Sequence, residues 1–454
     1  MNINELIQKQ RQFFRLGKTR DIAFRLDALE RLKQAIITHE KAICLALEKD
    51  LGKSAFESYL TEIGVVISEI THIIKKLRKW TKPKRKSAPL VMFPSKSYIY
   101  YEPFGSVLIM SPWNYPFQLA IMPLAAAIAA GNTCIVKPGS YSRSTAEVIK
   151  KVLEDCFPDE YVATVLGGRE ENQALLEEKF DFIFFTGSTE VGKLVMAKAS
   201  QNLTPVCLEL GGKSPAIVLQ DADLKLAAKR IIFGKIINAG QTCIAPDYVL
   251  VQKALKAQLL EAMIKAIKEF LGDQPEANPD YPKIINAKHF NRLMSLLDDS
   301  EIAYGGTAQN QKIAPTLLVD VGFNDLIMQE EIFGPILPII EYDILEDALL
   351  YVESRPKPLS TYLFSNNKKS IEMILNRLSS GGVTINDTLM HYMSRSLGFG
   401  GVGESGMGRY HGESGFQVFS NPKAVVRRYK WFDINLRYHP YTKRKQTLIK
   451  KILK

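Results

Sequence analysis

Five stretches of the 454-residue chain carry residue types that could do chemistry. Cys243, in Gly240-Gln241-Thr242-Cys243, falls between a helical pattern over Leu224–Ile237 and a strand pattern over Tyr248–Val251. A thiol in such a connection can act as a nucleophile, although cysteine also serves as a small buried apolar residue. Cys44, Cys134, Cys156 and Cys207 lie within or beside apolar runs and read as the latter. Glu209 sits in the apolar run Pro205–Leu210, ahead of Gly211-Gly212. A carboxylate there is costly unless paired, hydrated or used. Burial would raise its pKa and suit it to general-base work; an outward-facing edge position is the other reading. Phe185-Thr186-Gly187-Ser188-Thr189-Glu190-Val191-Gly192 follows an apolar strand and opens a helix. Glycines at that junction let backbone N–H groups approach a phosphate. This stretch is not the full G-x-G-x-x-G, and a helix cap by Ser188 or Thr189 explains the same residues. Lys137 stands at the carboxyl end of a strand, where open α/β sheets bind ligands, or is a solvated charge. Asn114, in Pro112-Trp113-Asn114-Tyr115-Pro116, is a candidate oxyanion donor or a turn former beside proline.

These residues need a frame, and the apolar pattern supplies one. Ile22, Leu26, Leu29, Leu32 and Ile36 recur at helical spacing, as do Ile63, Val66, Ile67, Ile70, Ile73 and Ile74. Thr81–Ser95 is rich in Lys and Pro and reads as a linker. Strand patterns at Ser97–Tyr101 and Ser106–Met110 follow. From there helices and strands alternate, through strands at Cys134–Lys137, Tyr161–Leu166, Phe182–Phe185 and Val206–Leu210. A second block alternates from Ala216–Leu219 to strands at Ile336–Ile340, Thr361–Phe364 and Gly382–Ile385, and a glycine-rich loop covers Gly398–Gly408. Such βαβα order predicts parallel, doubly wound sheets.

Composition excludes several classes. The chain is 46% apolar and 24% charged, which fits a globular protein and neither a fibre nor a disordered chain. Its longest apolar stretch, Phe117–Ala130, would span about 21 Å as a helix, short of the ~30 Å of a bilayer core. The start, MNINELIQKQRQFF, has no signal-peptide apolar core, so a cytoplasmic, reducing setting is expected for the five cysteines. Of the net charge of +11, residues 423–454 carry +10, from eleven Lys and Arg against Asp433. The body is therefore nearly neutral, no nucleic-acid motif accompanies the tail, and no nucleic-acid partner is expected. The six histidines show no metal spacing, so no catalytic metal is expected, and G-x-S-x-G and the P-loop pattern are absent.

Taken together, the motifs resemble the aldehyde dehydrogenase superfamily. They are Pro112–Pro116, Gly131-Asn132-Thr133 with Lys137-Pro138, Phe185–Ser188, Leu208–Lys213, Gly240–Cys243, Glu330–Pro335 and Phe399–Gly406. The similarity runs from about residue 20 to residue 425, and the Asn-Tyr-Pro variant with Cys243–Tyr248 looks most like the class 3, fatty or aromatic aldehyde, branch. The resemblance implies an α/β fold of two Rossmann-like doubly wound domains plus a small bridging and oligomerisation element. Residues 1–81 and 102–207 would bind the dinucleotide, 208–418 would be catalytic, and 82–101 with 419–454 would bridge.

The resemblance also implies roles. Cys243 would attack the aldehyde, Asn114 and the Cys243 N–H would hold the oxyanion, and Glu209 would activate the water that hydrolyses the thioester. NAD or NADP would contact Lys137, Ser140, Gly187, Ser188, Gly192, Glu331 and Phe333, and Tyr115, Phe233, Tyr392 and Met393 would line the aldehyde tunnel. The family often has Glu where Ser140 stands, with Arg143 near it here, so relaxed choice between NAD and NADP is expected. A homodimer oxidising an apolar medium- or long-chain, aromatic or polyene aldehyde follows. An acylating dehydrogenase linked to CoA or phosphate is the first rival, and Glu209 speaks against it. A non-enzymatic, membrane-associated binding protein on the same fold is the second. Leu448, Ile449, Ile452 and Leu453 share one face of the lysine-rich tail. Peripheral contact with a membrane, or a solvated or subunit-packing tail, both fit that face.

Overall fold

Ser106–Met110, Thr133–Lys137 and Phe182–Thr186 are buried along their whole lengths. Strands of a parallel sheet covered by helices on both faces have to be. The computed structural model describes residues 2–89, 92–298 and 300–453. In it Val162–Thr164, Thr133–Lys137, Ser106–Met110, Phe182–Thr186 and Val206–Glu209 lie side by side in that order, all parallel. Gly406–Met407 joins the outer edge antiparallel to Val206–Glu209. Strand order reverses between Ser106–Met110 and Phe182–Thr186, which opens a crevice above their carboxyl ends. The segments 111–117 and 187–188 leave from that crevice.

A second sheet orders Glu301–Tyr304, Thr316–Val319, Ile336–Tyr342, Tyr248–Gln252, Pro215–Val218, Ser360–Phe364 and Gly382–Ile385. It is parallel apart from Glu301–Tyr304. The third sheet is antiparallel and joins distant parts of the chain: Lys84–Lys86, Ser95–Pro103 and Ser420–Arg428. Ser95–Pro103 and Ser420–Arg428 pair without a break, from Ser420 opposite Pro103 to Arg428 opposite Ser95. The fold is thus the expected α/β class with two Rossmann-like sheets and a small third element.

The helix Gln118–Ala130 has no polar face, because all thirteen of its residues are buried. It ends at Gly131, whose φ of 96° suits glycine. Asn132, fully buried, then ties three segments together. Its Oδ1 accepts from Gly105 N–H at 3.0 Å, and its Nδ2 donates to the carbonyls of Ala127 at 3.2 Å and Phe419 at 2.9 Å.

Local patterns did not reveal several elements. Lys84–Lys86, inside the expected linker, forms a strand, its lysines marking a sheet edge. Thr316–Val319 sits between neighbours in the second sheet but is only four residues long. The helix Arg169–Glu177 starts where Glu171 caps it, its carboxylate accepting from Gly168 N–H at 2.6 Å. The tail forms a helix over Lys443–Ile452 with no buried residue. Among the described residues no helix is long and apolar enough to cross a membrane.

Candidate active site

Cys243 lies where two cavities meet, one almost wholly apolar and the other more polar. A tunnel of about 860 Å³ with nearly all-apolar walls runs past Tyr115, Phe233, Leu389, Tyr392, Met393 and Phe399, with Glu209 in its wall. A more polar cleft of about 1660 Å³, with charged and polar side chains among apolar ones, runs past Trp113, Asn114, Gly187, Ser188, Glu331 and Phe333. Cys243, Leu119 and Thr186 line both. The structure therefore brings together Cys243, Glu209 and Asn114, the four expected tunnel residues, and four of the seven expected cofactor residues.

The other three stand elsewhere. Lys137 is buried at its strand's carboxyl end, and its ammonium donates to the Pro138 carbonyl at 3.0 Å and the Gly167 carbonyl at 2.7 Å. Ser140 is exposed. Gly192 lies inside the Thr189–Ser200 helix, where a Cβ would meet Leu210 at 2.6 Å. Its lack of a side chain lets the helix pack against Leu210 at the strand end. Ser188 caps that helix, its Oγ accepting from Val191 N–H at 3.4 Å.

Backbone strain places the thiol. Asn238, Ala239 and Gly240 all adopt left-handed φ, of 53°, 51° and 72°. At Gly240 a Cβ would stand 2.3 Å from the Gly334 carbonyl, so only glycine fits. Non-glycine residues held this way cost about 1–3 kcal/mol each and need support. Asn238 receives it: Glu57 Oε1 accepts from its backbone N–H at 2.7 Å, and its Nδ2 donates to the carbonyls of Asn114 at 2.8 Å and Gln241 at 3.0 Å. Gln241 is anchored in turn, accepting from Ile285 N–H at 3.0 Å and donating to the Lys283 carbonyl at 3.1 Å. Tyr115 Oη and Thr242 Oγ1, 2.7 Å apart, stitch the asparagine and cysteine loops together. Asn114 Nδ2 donates to the Gln241 carbonyl at 3.0 Å, which leaves its second N–H for another acceptor.

Burial sets the electrostatics. It raises the Cys243 thiol pKa, and the Glu331 and Glu209 carboxyls add to the rise. It also holds the Glu209 carboxyl well above the usual range, with only Arg409 opposing. Glu209 Oε2 has no hydrogen-bond partner among the described residues, and Cys207 Sγ lies 4.0 Å from Oε1. Burial and the Asp247 charge push Glu331 up to about 8, against Gly212 N–H, Lys213 and Lys235. Lys235, buried with its ammonium unpartnered among the described residues, is lowered to about 8 by desolvation. The loop carrying Glu331 and Phe333 is pinned by Asp247, which accepts from Ile332 N–H at 2.9 Å and pairs with Lys213.

Lys53, Glu57, Glu62 and Asn238 escaped the sequence reading, as did the tunnel residues Leu60, Thr61 and Val65. No local signal marks the two acids, which precede the helical pattern that begins at Ile63. Because Glu331 raises the thiol pKa, Glu331→Gln should shift the thiol toward thiolate. Alkylation of Cys243 by iodoacetamide at pH 9, where Glu331 is ionised in the parent, should then run several-fold faster in the variant. An unchanged or slower rate would contradict the electrostatic account.

The model of the aldehyde dehydrogenase family matches residues 1–425. The chain is 47% identical to 4,4'-diaponeurosporen-aldehyde dehydrogenase of Staphylococcus aureus, over 97% of this chain and 96% of that protein. It is 43% identical to the dimeric NADP-preferring aldehyde dehydrogenase of Canis lupus familiaris, over 94% of each. The solved substrate-bound state of Staphylococcus aureus AldH superposes with a TM-score of 0.98 at 47% identity, covering all of both chains. The chain belongs to the aldehyde dehydrogenase family, whose enzymes are NAD(P)-dependent oxidoreductases.

Proposed function

We propose that this enzyme oxidises an apolar aldehyde to the carboxylic acid through a thioester on Cys243. One observation carries the reading: the Cys243 thiol is common to an apolar tunnel and a more polar cleft, with Glu209 on one side and Asn114 on the other. The tunnel walls fit a medium- or long-chain, aromatic or polyene aldehyde. The named relatives, one of which handles a polyene aldehyde, support the same class.

The cleft fits a dinucleotide. It opens at the strand-order reversal, and the start of the Thr189–Ser200 helix faces it through Gly187 and Ser188. Gly187 and Ser188 would hold the pyrophosphate, and Glu331 and Phe333 the nicotinamide riboside. Lys137 and Ser140 would border the adenosine end. Bound NAD(P)+ supplies the hydride acceptor. For the domains we propose residues 1–81 and 102–207 as the dinucleotide-binding unit and 208–418 as the catalytic one. Residues 82–101 and 419–454 would bridge and join a homodimer, because Ser420–Arg428 is paired along one side only.

In the proposed sequence, the Cys243 thiol releases its proton to solvent as the sulfur attacks the aldehyde carbon, and the carbonyl oxygen becomes an oxyanion. The free N–H of Asn114 Nδ2 and the Cys243 backbone N–H stabilise it. After oxidation the acyl group remains on sulfur. Glu209 then takes a proton from water, water adds to the thioester, and the acid leaves as the thiol re-forms. Because burial raises the Glu209 pKa, its base form grows as pH rises.

Three outcomes are expected. Glu209→Gln should give a near-stoichiometric NAD(P)H burst followed by stalled turnover, and should abolish the parent's rise of kcat with pH. Unimpaired steady-state turnover would refute the role. Exposed Ser140, with Arg143 also in solvent, raises no charge against a 2′-phosphate. The ratio of kcat/KM for NAD over NADP should stay below about a hundredfold, ~2.7 kcal/mol; a larger ratio would contradict relaxed choice. The protein is proposed to be cytoplasmic with peripheral membrane contact through its tail. That helix exposes Leu448 and Ile452 among lysines, and Phe93, Trp431 and Phe432 cluster on the surface, with ring centroids 6.1–6.2 Å apart. Co-sedimentation with phosphatidylglycerol vesicles should be lost on deleting residues 443–454, and identical soluble behaviour of both proteins would end that idea.

A further inference from the structure

The loop that carries Asn114 is clamped by a buried ion pair outside the site itself. Lys53 and Glu62 are both fully buried, with Nζ to Oε1 at 2.6 Å. Lys53 Nζ also donates to the Asn114 carbonyl at 3.3 Å and stands 4.1 Å from the centroid of the Tyr115 ring. Glu62 Oε2 accepts from the backbone N–H groups of Phe117 at 2.9 Å and Gln118 at 3.1 Å. Those groups open the Gln118–Ala130 helix, whose N-terminal end favours a negative charge. The pair therefore grips both ends of Asn114–Gln118: the cation holds the first carbonyl and the anion holds the last N–H groups.

Two features argue that this is more than packing. Taking two charges out of water is costly, and apolar residues of the same size would often be as stable or more so. And the chain winds as a π-helix over Tyr59–Ile63. In an ordinary helix Glu57 and Glu62, five residues apart, would diverge by about 140°. The wider turn lets both reach the site loops, Glu57 at Asn238 N–H of the cysteine loop and Glu62 at the asparagine loop.

We propose that Lys53 and Glu62 are positioning residues, which fix the Asn114 backbone so that its side-chain amide points at the oxyanion formed on Cys243. This rests on the proposed reading of Asn114 as the oxyanion donor. The pair touches neither substrate nor cofactor and acts through the loop.

The test is a double-mutant cycle on the rate of the pre-steady-state NAD(P)H burst with a medium-chain alkanal. It compares the parent, Lys53→Met, Asn114→Ala and the double variant, and measures NAD(P) affinity by fluorescence titration. Each single variant should slow the burst at least tenfold. The double variant should lie within about twofold of Asn114→Ala alone, with cofactor affinity within about twofold of the parent throughout. A parental burst rate in Lys53→Met, a double variant slowed by the product of the single effects, or a joint loss of cofactor affinity would overturn the proposal. A parental burst rate in Asn114→Ala would instead sink the oxyanion role on which it rests. If Lys53→Met does not fold, Glu62→Gln keeps the volume and one carbonyl acceptor, and the same cycle with Asn114→Ala decides.

Discussion

Cys243 sits in the wall shared by an apolar tunnel and a more polar cleft, and everything around it answers to the burial that this position imposes. Desolvation of the half-buried thiol opposes its ionisation, and two carboxyls nearby raise its pKa further. In the proposed chemistry the nucleophile is therefore not stored as a thiolate. It depends on donors placed in advance for the charge that develops on the substrate oxygen. Such donors work only if their loops cannot move. That explains the density of buried hydrogen bonds among Asn114, Asn238, Gln241 and Thr242, and the strain accepted at Asn238 and Ala239.

The fold meets this demand by bringing loops from far apart in the chain to one crevice. The asparagine loop leaves the first sheet beside its strand-order reversal, and Glu209 ends the outermost parallel strand of the same sheet. The cysteine loop precedes Tyr248–Gln252 of the second sheet. Gly406–Met407, from the far end of the chain, pairs directly with Leu208 and Glu209 and holds that strand end in place. The clamp from Lys53, Glu57 and Glu62 adds a segment of the N-terminal helical region to the same assembly, so that five stretches far apart in the sequence fix one reacting centre.

What the sequence discloses follows from how local each signal is. Strand periodicity and the order of elements exposed the two doubly wound sheets, because buried parallel strands are long apolar runs. Cys243, Glu209 and Asn114 were legible because each stands in a compact motif of glycines, prolines and polar residues. Lys53 and Glu62 were not, because their partner atoms are backbone groups some sixty residues away and no motif marks them. The left-handed turn at Asn238–Ala239 was equally silent, since alanine gives no hint of positive φ. Gly192 looked like part of a phosphate loop, yet its missing Cβ serves the packing of a helix on Leu210. The short strands Lys84–Lys86 and Thr316–Val319 owe their form to neighbours and not to their own residues.

The most direct test of the central claim is a single-turnover reaction with aldehyde and NAD(P)+, quenched in acid and mapped by peptide mass spectrometry. The acyl mass should appear on the peptide containing Cys243, in step with NAD(P)H formation, and on none of Cys44, Cys134, Cys156 or Cys207. An acyl group on a different residue, or full aldehyde oxidation by Cys243→Ala, would contradict it.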